Sequence, residues 1–230
     1  MIKAIIAANV ALFIICLFFS LPTLSWTLNP FYALAPSTDV LNFMGASGRL
    51  PILQYGSWWS VFTANWLHGS LLHILFNMMA LKTVGPLVSA GFGTMRMFSI
   101  YTASGAAGFI VSYLGGVSIT VGASSGLCGL IGALVYFGKS EQGQIWGQWV
   151  LKQTSGWIIS LLLMGFLIPN INNWGHGGGF AGGFIAAWVL QHNGQRMESR
   201  WDSILAGILA LVTLFFLARP VIQGILLYLG

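Results

Sequence analysis

The run Val121-Gly122-Ala123-Ser124-Ser125-Gly126 opens one apolar stretch of the chain, and His176 opens another. If the two stretches are neighbouring membrane helices, a hydroxyl nucleophile and an imidazole base meet inside a bilayer. Ionisable groups cost free energy in hydrocarbon, so their presence there is by default a mark of function. A second pattern, His68-Gly-Ser-Leu-Leu-His73-Ile-Leu-Phe-Asn77, sets His73 and Asn77 four residues apart on one helical face. Two donors one turn apart suit a developing oxyanion. They equally suit plain interhelical hydrogen bonds, worth about 0.6 kcal/mol each. His68 falls near the outer end of the same segment, where bracing the neighbouring loop is its expected role.

Small residues surround both candidate catalytic groups. Gly122, Gly126, Gly129 and Gly132 follow one stripe, and Gly179 and Gly183 lie under His176. Such spacings let another backbone approach closely, which is a common packing device in membranes. A serine in this setting is by itself most often a packing or back-bonding residue. Taken together, however, the patterns supply a hydroxyl nucleophile, a base and oxyanion donors, the components of acyl transfer. The four acids Asp39, Glu141, Glu198 and Asp202 all fall in loops or at helix ends. That leaves a Ser-His dyad as the form of triad logic available. The chemistry needs neither metal nor cofactor.

The elements that must position these groups are set by composition. Of 230 residues, 57% are hydrophobic and 6% charged, against roughly 25% charged in a soluble domain. Mean hydropathy is +0.83. A soluble enzyme is excluded, and the expected class is an all-α polytopic membrane protein. The formal charge of +5 comes from nine Lys and Arg spread singly along the chain, so no basic patch marks a nucleic-acid partner. Cys16 and Cys128 lie within apolar stretches and read as small buried hydrophobes.

Apolar runs of about 17 to 25 residues give seven expected spans: 3–20, 67–86, 96–115, 122–138, 154–169, 176–192 and 203–218. The first is long enough to span and ends in Leu-Pro-Thr-Leu, so it reads as a retained helix rather than a signal peptide. Residues 21–65 read as a long irregular connection, with Pro22, Pro30, Pro36 and Pro51 and an interfacial Trp58-Trp59 pair, lying on or partly in one leaflet. Residues 1–218 form the transmembrane domain. Arg219-Pro220 is expected to break the last helix, leaving 219–230 as a tail along the membrane. Lys3, Lys82, Arg96, Lys139, Lys152, Arg196 and Arg200 fall on one side of this arrangement, and Arg49 and Arg219 on the other. The N-terminus is therefore expected in the cytoplasm. Ser124 and His176 then lie just below the outer surface, where Ser118, Thr120 and Asn170 to Asn173 are expected to line a water-filled cavity.

At this point the residues resemble the rhomboid family of intramembrane serine proteases. The resemblance runs from about Gly45 to His192. His-x-x-x-x-His-x-x-x-Asn matches His68, His73 and Asn77; Gly-x-Ser matches Gly122 to Ser124; and His-x-x-Gly-x-x-x-Gly matches His176, Gly179 and Gly183. It implies a six-helix bundle, here with one additional C-terminal helix. Ser124 would be the nucleophile and His176 the general base and then acid, with Asn77, His73 and the Ser124 backbone N–H as oxyanion donors. The implied partners are membrane-protein substrates that enter sideways from the lipid as transmembrane helices.

Departures from the family pattern concentrate around the site. Ser125 follows Ser124 where glycine is usual, so Ser125, which precedes Gly126, is the alternative nucleophile. Gly122, Gly129 and Gly132 fall at the family offsets only if Ser124 is chosen. Consecutive helical residues point about 100° apart, so one serine alone can face His176. Cys128 replaces the aromatic residue on which the histidine ring usually packs. Ser60 and Ser89 stand where an arginine and a glutamate are usual. Gly177 to Gly179 either leave room for a substrate chain or serve packing alone. The competing function is a catalytically silent rhomboid-like protein that binds transmembrane helices and governs their trafficking or degradation. A transporter would need broken helices paired across a repeat, and the chain has neither an internal repeat nor an acidic relay. The short loops and an N-terminus poor in Arg and Ser point to a bacterial inner membrane.

Overall fold

The computed structural model describes all residues except 24–26, 28, 30, 31, 168–170, 192–197 and 230. Pro30, Asn170, His192 and Arg196 therefore lie outside the described residues. Among the described residues ten α-helices follow one another: α1 (Ile2–Ser20), α2 (Thr38–Met44), α3 (Arg49–Tyr55), α4 (Ser60–Thr63), α5 (Leu71–Phe92), α6 (Thr94–Leu114), α7 (Ser124–Ser140), α8 (Ile145–Leu167), α9 (Asn173–Gln191) and α10 (Arg200–Leu229). Among the described residues there is no strand, only an isolated antiparallel bridge between Ser47 and Thr120. The chain is thus an all-α, polytopic membrane protein.

Among the described residues five helices are long and apolar enough to cross a bilayer: α1 (continued to Thr23), α5, α6, α8 and α10 up to Leu226. The other two long helices are the ones that carry Ser124 and His176. Their glycines and polar residues lower hydropathy, and α7 is only 17 residues long. They are shielded instead by their neighbours. α6, α7 and α9 pack most extensively on one another, whereas α8 contacts mainly α7. Two thirds of the α6 span is buried and only 12% of the α8 span, so α6 is central and α8 faces lipid.

Small residues set that packing. A Cβ at Gly183 would collide with the Gly129 carbonyl, one at Gly132 with the Phe180 carbonyl, and one at Gly179 with the Ser125 backbone. On the adjoining face of α9, a Cβ at Gly178 would lie 2.6 Å from Val111 Cβ and one at Gly182 2.9 Å from Ala107 Cβ. One glycine face of α9 thus meets α7 and the next meets α6. In hydrocarbon this close van der Waals approach is what holds helices together.

Several boundaries differ from the sequence expectation, each for a local reason. α5 starts at Leu71 because Ser70 Oγ accepts from the His73 N–H at 3.3 Å and caps the helix. His68 is therefore in the preceding loop, not on the helix. α5 continues to Phe92 past Pro86, so Lys82 stands well inside it, exposed. α8 begins at Ile145, with Trp146 and Trp149 stacked at 5.0 Å; its polar first turns hid it from a hydropathy scan. The break expected at Arg219-Pro220 does not occur, and α10 runs unbroken to Leu229. Proline removes one helical N–H donor, and such losses are tolerated within membrane helices.

The connection 21–65 is not irregular, because α2, α3 and α4 fall within it. It is tied to the α6–α7 loop, where Arg49 N–H donates to the Val117 carbonyl at 2.7 Å and Leu50 N–H to that of Ser118 at 3.0 Å. Ser60, standing in place of a charged residue, is buried and donates to Ser47 Oγ at 3.0 Å. α10 braces the same region: the Phe216 ring stacks against Trp59 at 6.1 Å and Phe62 at 6.4 Å. At its opposite end α10 is bound to α6. Asp202 pairs with Arg96 at 3.0 Å, both buried, and the Glu198 carboxylate accepts from the N–H groups of Met95 and Arg96. These acids neutralise the positive end of the α6 dipole, so Glu198 and Asp202 are structural.

Candidate active site

The turn before α7 is built around Gly122, whose φ of +132° is closed to ordinary side chains. Space excludes a side chain too. A Cβ there would lie 2.6 Å from His73 Nε2 and 3.7 Å from Ser124 Oγ. The missing side chain is what lets the imidazole and the hydroxyl flank one turn. Gly122 N–H donates to the Ala64 carbonyl at 2.9 Å, and Gly126 N–H donates to Asn65 Oδ1 at 3.2 Å. Ser124 lies midway between those anchors.

The two serines differ in environment. Ser124 is half-buried, while Ser125 is 3% exposed. Ser125 Oγ points toward the backbones of α6 and α9, 3.0 Å from a Cβ position on Gly108 and 2.9 Å from one on Gly175. Ser125 thus fills the contact between helices, and Ser124 faces the Gly122 turn.

His73 has its tautomer set by a neighbour. Gly69 N–H donates to Nδ1 at 3.4 Å, so the ring proton resides on Nε2, the atom that faces Gly122. Asn77 Nδ2 donates to the His73 carbonyl at 2.8 Å, which leaves its second N–H to serve the site. His68 is fully buried and packs edge-on against His73 at 5.1 Å. Neither of its ring nitrogens has a hydrogen-bond partner among the described residues.

His176 lies in the first turn of α9 and within electrostatic reach of His73. Asn172 starts that helix. Its Oδ1 accepts from Gly175 N–H at 2.8 Å, and its carbonyl accepts from His176 N–H at 3.0 Å. Its Nδ2 donates to Ser112 Oγ at 2.7 Å and Thr120 Oγ1 at 3.0 Å. One side chain therefore links the histidine helix to α6 and to the loop leading into Ser124. Thr120 and Asn172, expected to line a water cavity, are half-buried and hydrogen-bonded to each other. Ser118 is exposed, and Asn173 donates to the Gly165 carbonyl at 2.9 Å. Among the described residues, Ser124 and His176 are not hydrogen-bonded to each other. Cys128, one turn after Ser124, is buried and free, and no group of three metal-ligating side chains occurs among the described residues.

Residues 55–193 match the Rhomboid domain family model. The chain belongs to the rhomboid family. It is 34% identical over 178 residues to the rhomboid protease GluP of Bacillus subtilis, covering 76% of this chain and 34% of that protein. It is 36% identical over 165 residues to RHOMBOID-like protein 5 of Arabidopsis thaliana, covering 68% of this chain and 52% of that protein. RHOMBOID-like protein 4 of the same plant is 30% identical over 211 residues, with 84% and 52% covered. The chain spans about half the length of these plant relatives and about a third of GluP. The matched region contains every residue named in the site.

Sequence reasoning on this rhomboid missed Asn65 and the capping role of Asn172, which it named only as a cavity-lining residue. Asn172 was legible as an N-cap, because Asn three residues before Gly175 at the start of an apolar run is a helix-start signal. Asn65 carried no such signal, since its partner Gly126 is 61 residues away.

Proposed function

We propose that the chain is an intramembrane serine endopeptidase that cleaves transmembrane-helix substrates with a Ser124-His176 dyad. The observation that carries this reading is the convergence of a half-buried Ser124 Oγ and the His73 Nε2–H on the Gly122 turn, with the first turn of α9 packed against the same end of α7. Membership of a family that includes a named protease supports it. Ser124 Oγ attacks the scissile carbonyl while His176 takes its proton. The resulting oxyanion receives hydrogen bonds from the Ser124 N–H, His73 Nε2–H and Asn77 Nδ2–H, each aimed where negative charge develops. His176 then protonates the leaving amine, and water hydrolyses the acyl-enzyme after His176 removes its proton. Of the three glycines beside the base, only Gly177 faces open space, so it alone leaves room for a substrate strand. We place the N-terminus in the cytoplasm of a bacterial inner membrane, with the α6–α7 loop outward.

The experiment is cleavage of a labelled panel of transmembrane substrates in liposomes, with fluorophosphonate labelling in parallel. Wild type and Ser125→Ala should cleave and label; Ser124→Ala and His176→Ala should do neither. Cys128 beneath the dyad, in place of an aromatic support, favours a second reading as a helix-binding protein without protease activity. A folded wild type that neither cleaves nor labels decides for that reading.

A further inference from the structure

Adjacent residues of the turn following α4 hold both sides of the nucleophile turn, and one does so with its side chain. Ala64 offers its carbonyl to Gly122, two residues before Ser124, and Asn65 offers Oδ1 to Gly126, two residues after it. The first bond of α7 itself forms only at Leu127, whose N–H donates to the Ala123 carbonyl at 2.9 Å. Upstream of that bond the amides of the first turn have no partner within the helix. Asn65 therefore supplies what the helix cannot.

Its setting makes the hold stiff. Asn65 is 1% exposed, its side chain lies against Gly105 and Gly126, and the Tyr101 hydroxyl donates to its carbonyl at 3.4 Å. Only an oxygen accepts from Gly126 N–H, so the amide is oriented with Nδ2 turned away. An apolar side chain of similar size would fill this space with no buried polar group to satisfy. The feature that Asn65 has and leucine lacks is the oxygen on Gly126.

We propose that Asn65 is a positioning residue for the reaction: its Oδ1 fixes the first turn of α7 so that Ser124 Oγ keeps its bearing on His176 and Ser124 N–H keeps its bearing on the oxyanion. By occupying the Gly126 amide it also leaves the donors nearest Ser124 as the ones open to substrate. This rests on Ser124 being the nucleophile.

The test compares the full chain with Asn65→Leu, Asn65→Ala and Asn65→Asp in liposomes, reading kcat and KM for a cleaved substrate and the rate of fluorophosphonate labelling. Leucine and alanine both remove the acceptor, so the comparison survives if one of them fails to fold. Aspartate keeps the acceptor and removes the amide donors. The expected result is a kcat and labelling rate lowered roughly 10- to 100-fold in Leu and Ala, the scale for misplacement of a reacting group by about 1 Å, with KM within about threefold, and recovery of most of the rate in Asp. Wild-type kcat in a folded Leu or Ala variant overturns the proposal, as does an Asp variant no faster than Leu. Failure of the nucleophile assignment looks different: wild type itself then shows no labelling at Ser124.

Discussion

Replacing Asn172 with alanine tests whether the histidine helix is held by its own start. The substitution removes the Oδ1 cap on Gly175 and the two Nδ2 bonds to Ser112 and Thr120. A lost N-cap costs about 1 kcal/mol, and each interhelical side-chain bond in a membrane bundle about 0.6 kcal/mol, which gives about 2 kcal/mol. That is roughly a 30-fold fall in the folded-to-unfolded ratio, since 1.4 kcal/mol is a factor of ten. Asn172→Asp is milder, because a carboxylate still caps Gly175 and the Thr120 hydroxyl turns to donate to it. Equilibrium unfolding in mixed micelles measures both variants against wild type. Fluorophosphonate labelling then asks whether the loosened helix also misplaces His176, with an expected loss of at least tenfold in rate for alanine. An alanine variant that unfolds and labels like wild type would falsify the claim that Asn172 joins the base to the nucleophile loop.

Two further outcomes follow from packing and charge. Gly177→Ala meets nothing within 4 Å and should stabilise the helix by up to about 1 kcal/mol, whereas Gly183→Ala, pressed on the Gly129 carbonyl, should destabilise by about 1–3 kcal/mol; thermal unfolding in detergent separates the two. Asp202→Ala leaves Arg96 buried without its carboxylate and should cost roughly 3 kcal/mol or more. Replacing Arg96 and Asp202 together with apolar residues should recover much of that loss in the same unfolding assay.

The polytopic helical class was legible in the sequence because the bilayer dictates it, and the family was legible from the three motifs at His68 to Asn77, Gly122 to Ser124 and His176 to Gly183. Long apolar runs have few folded solutions, and a polar group within them stands out against its surroundings. For the same reason, His73, Asn77, Ser124 and His176 could be picked out before any fold was known. Local hydropathy did not reveal where helices begin and end when polar caps or interfacial turns intervene. α5 starts late at Leu71 behind its Ser70 cap, α8 starts early at Ile145, and α10 ignores Pro220, whose single lost hydrogen bond does not outweigh thirty residues of helical register. The glycine offsets in the sequence already favoured Ser124 over Ser125, whereas the different surroundings of the two belong to tertiary structure. The two differ by one step of helical rotation, and only the arrival of α6 and α9 against Ser125 leaves Ser124 facing the Gly122 turn. Asn65 and Asn172 act across 61 and 52 residues on Gly126 and Thr120. Sequence determined which groups could react; packing decided which of them are held still, because hydrogen bonds between distant segments exist only once the glycine faces of α9 have closed on α6 and α7.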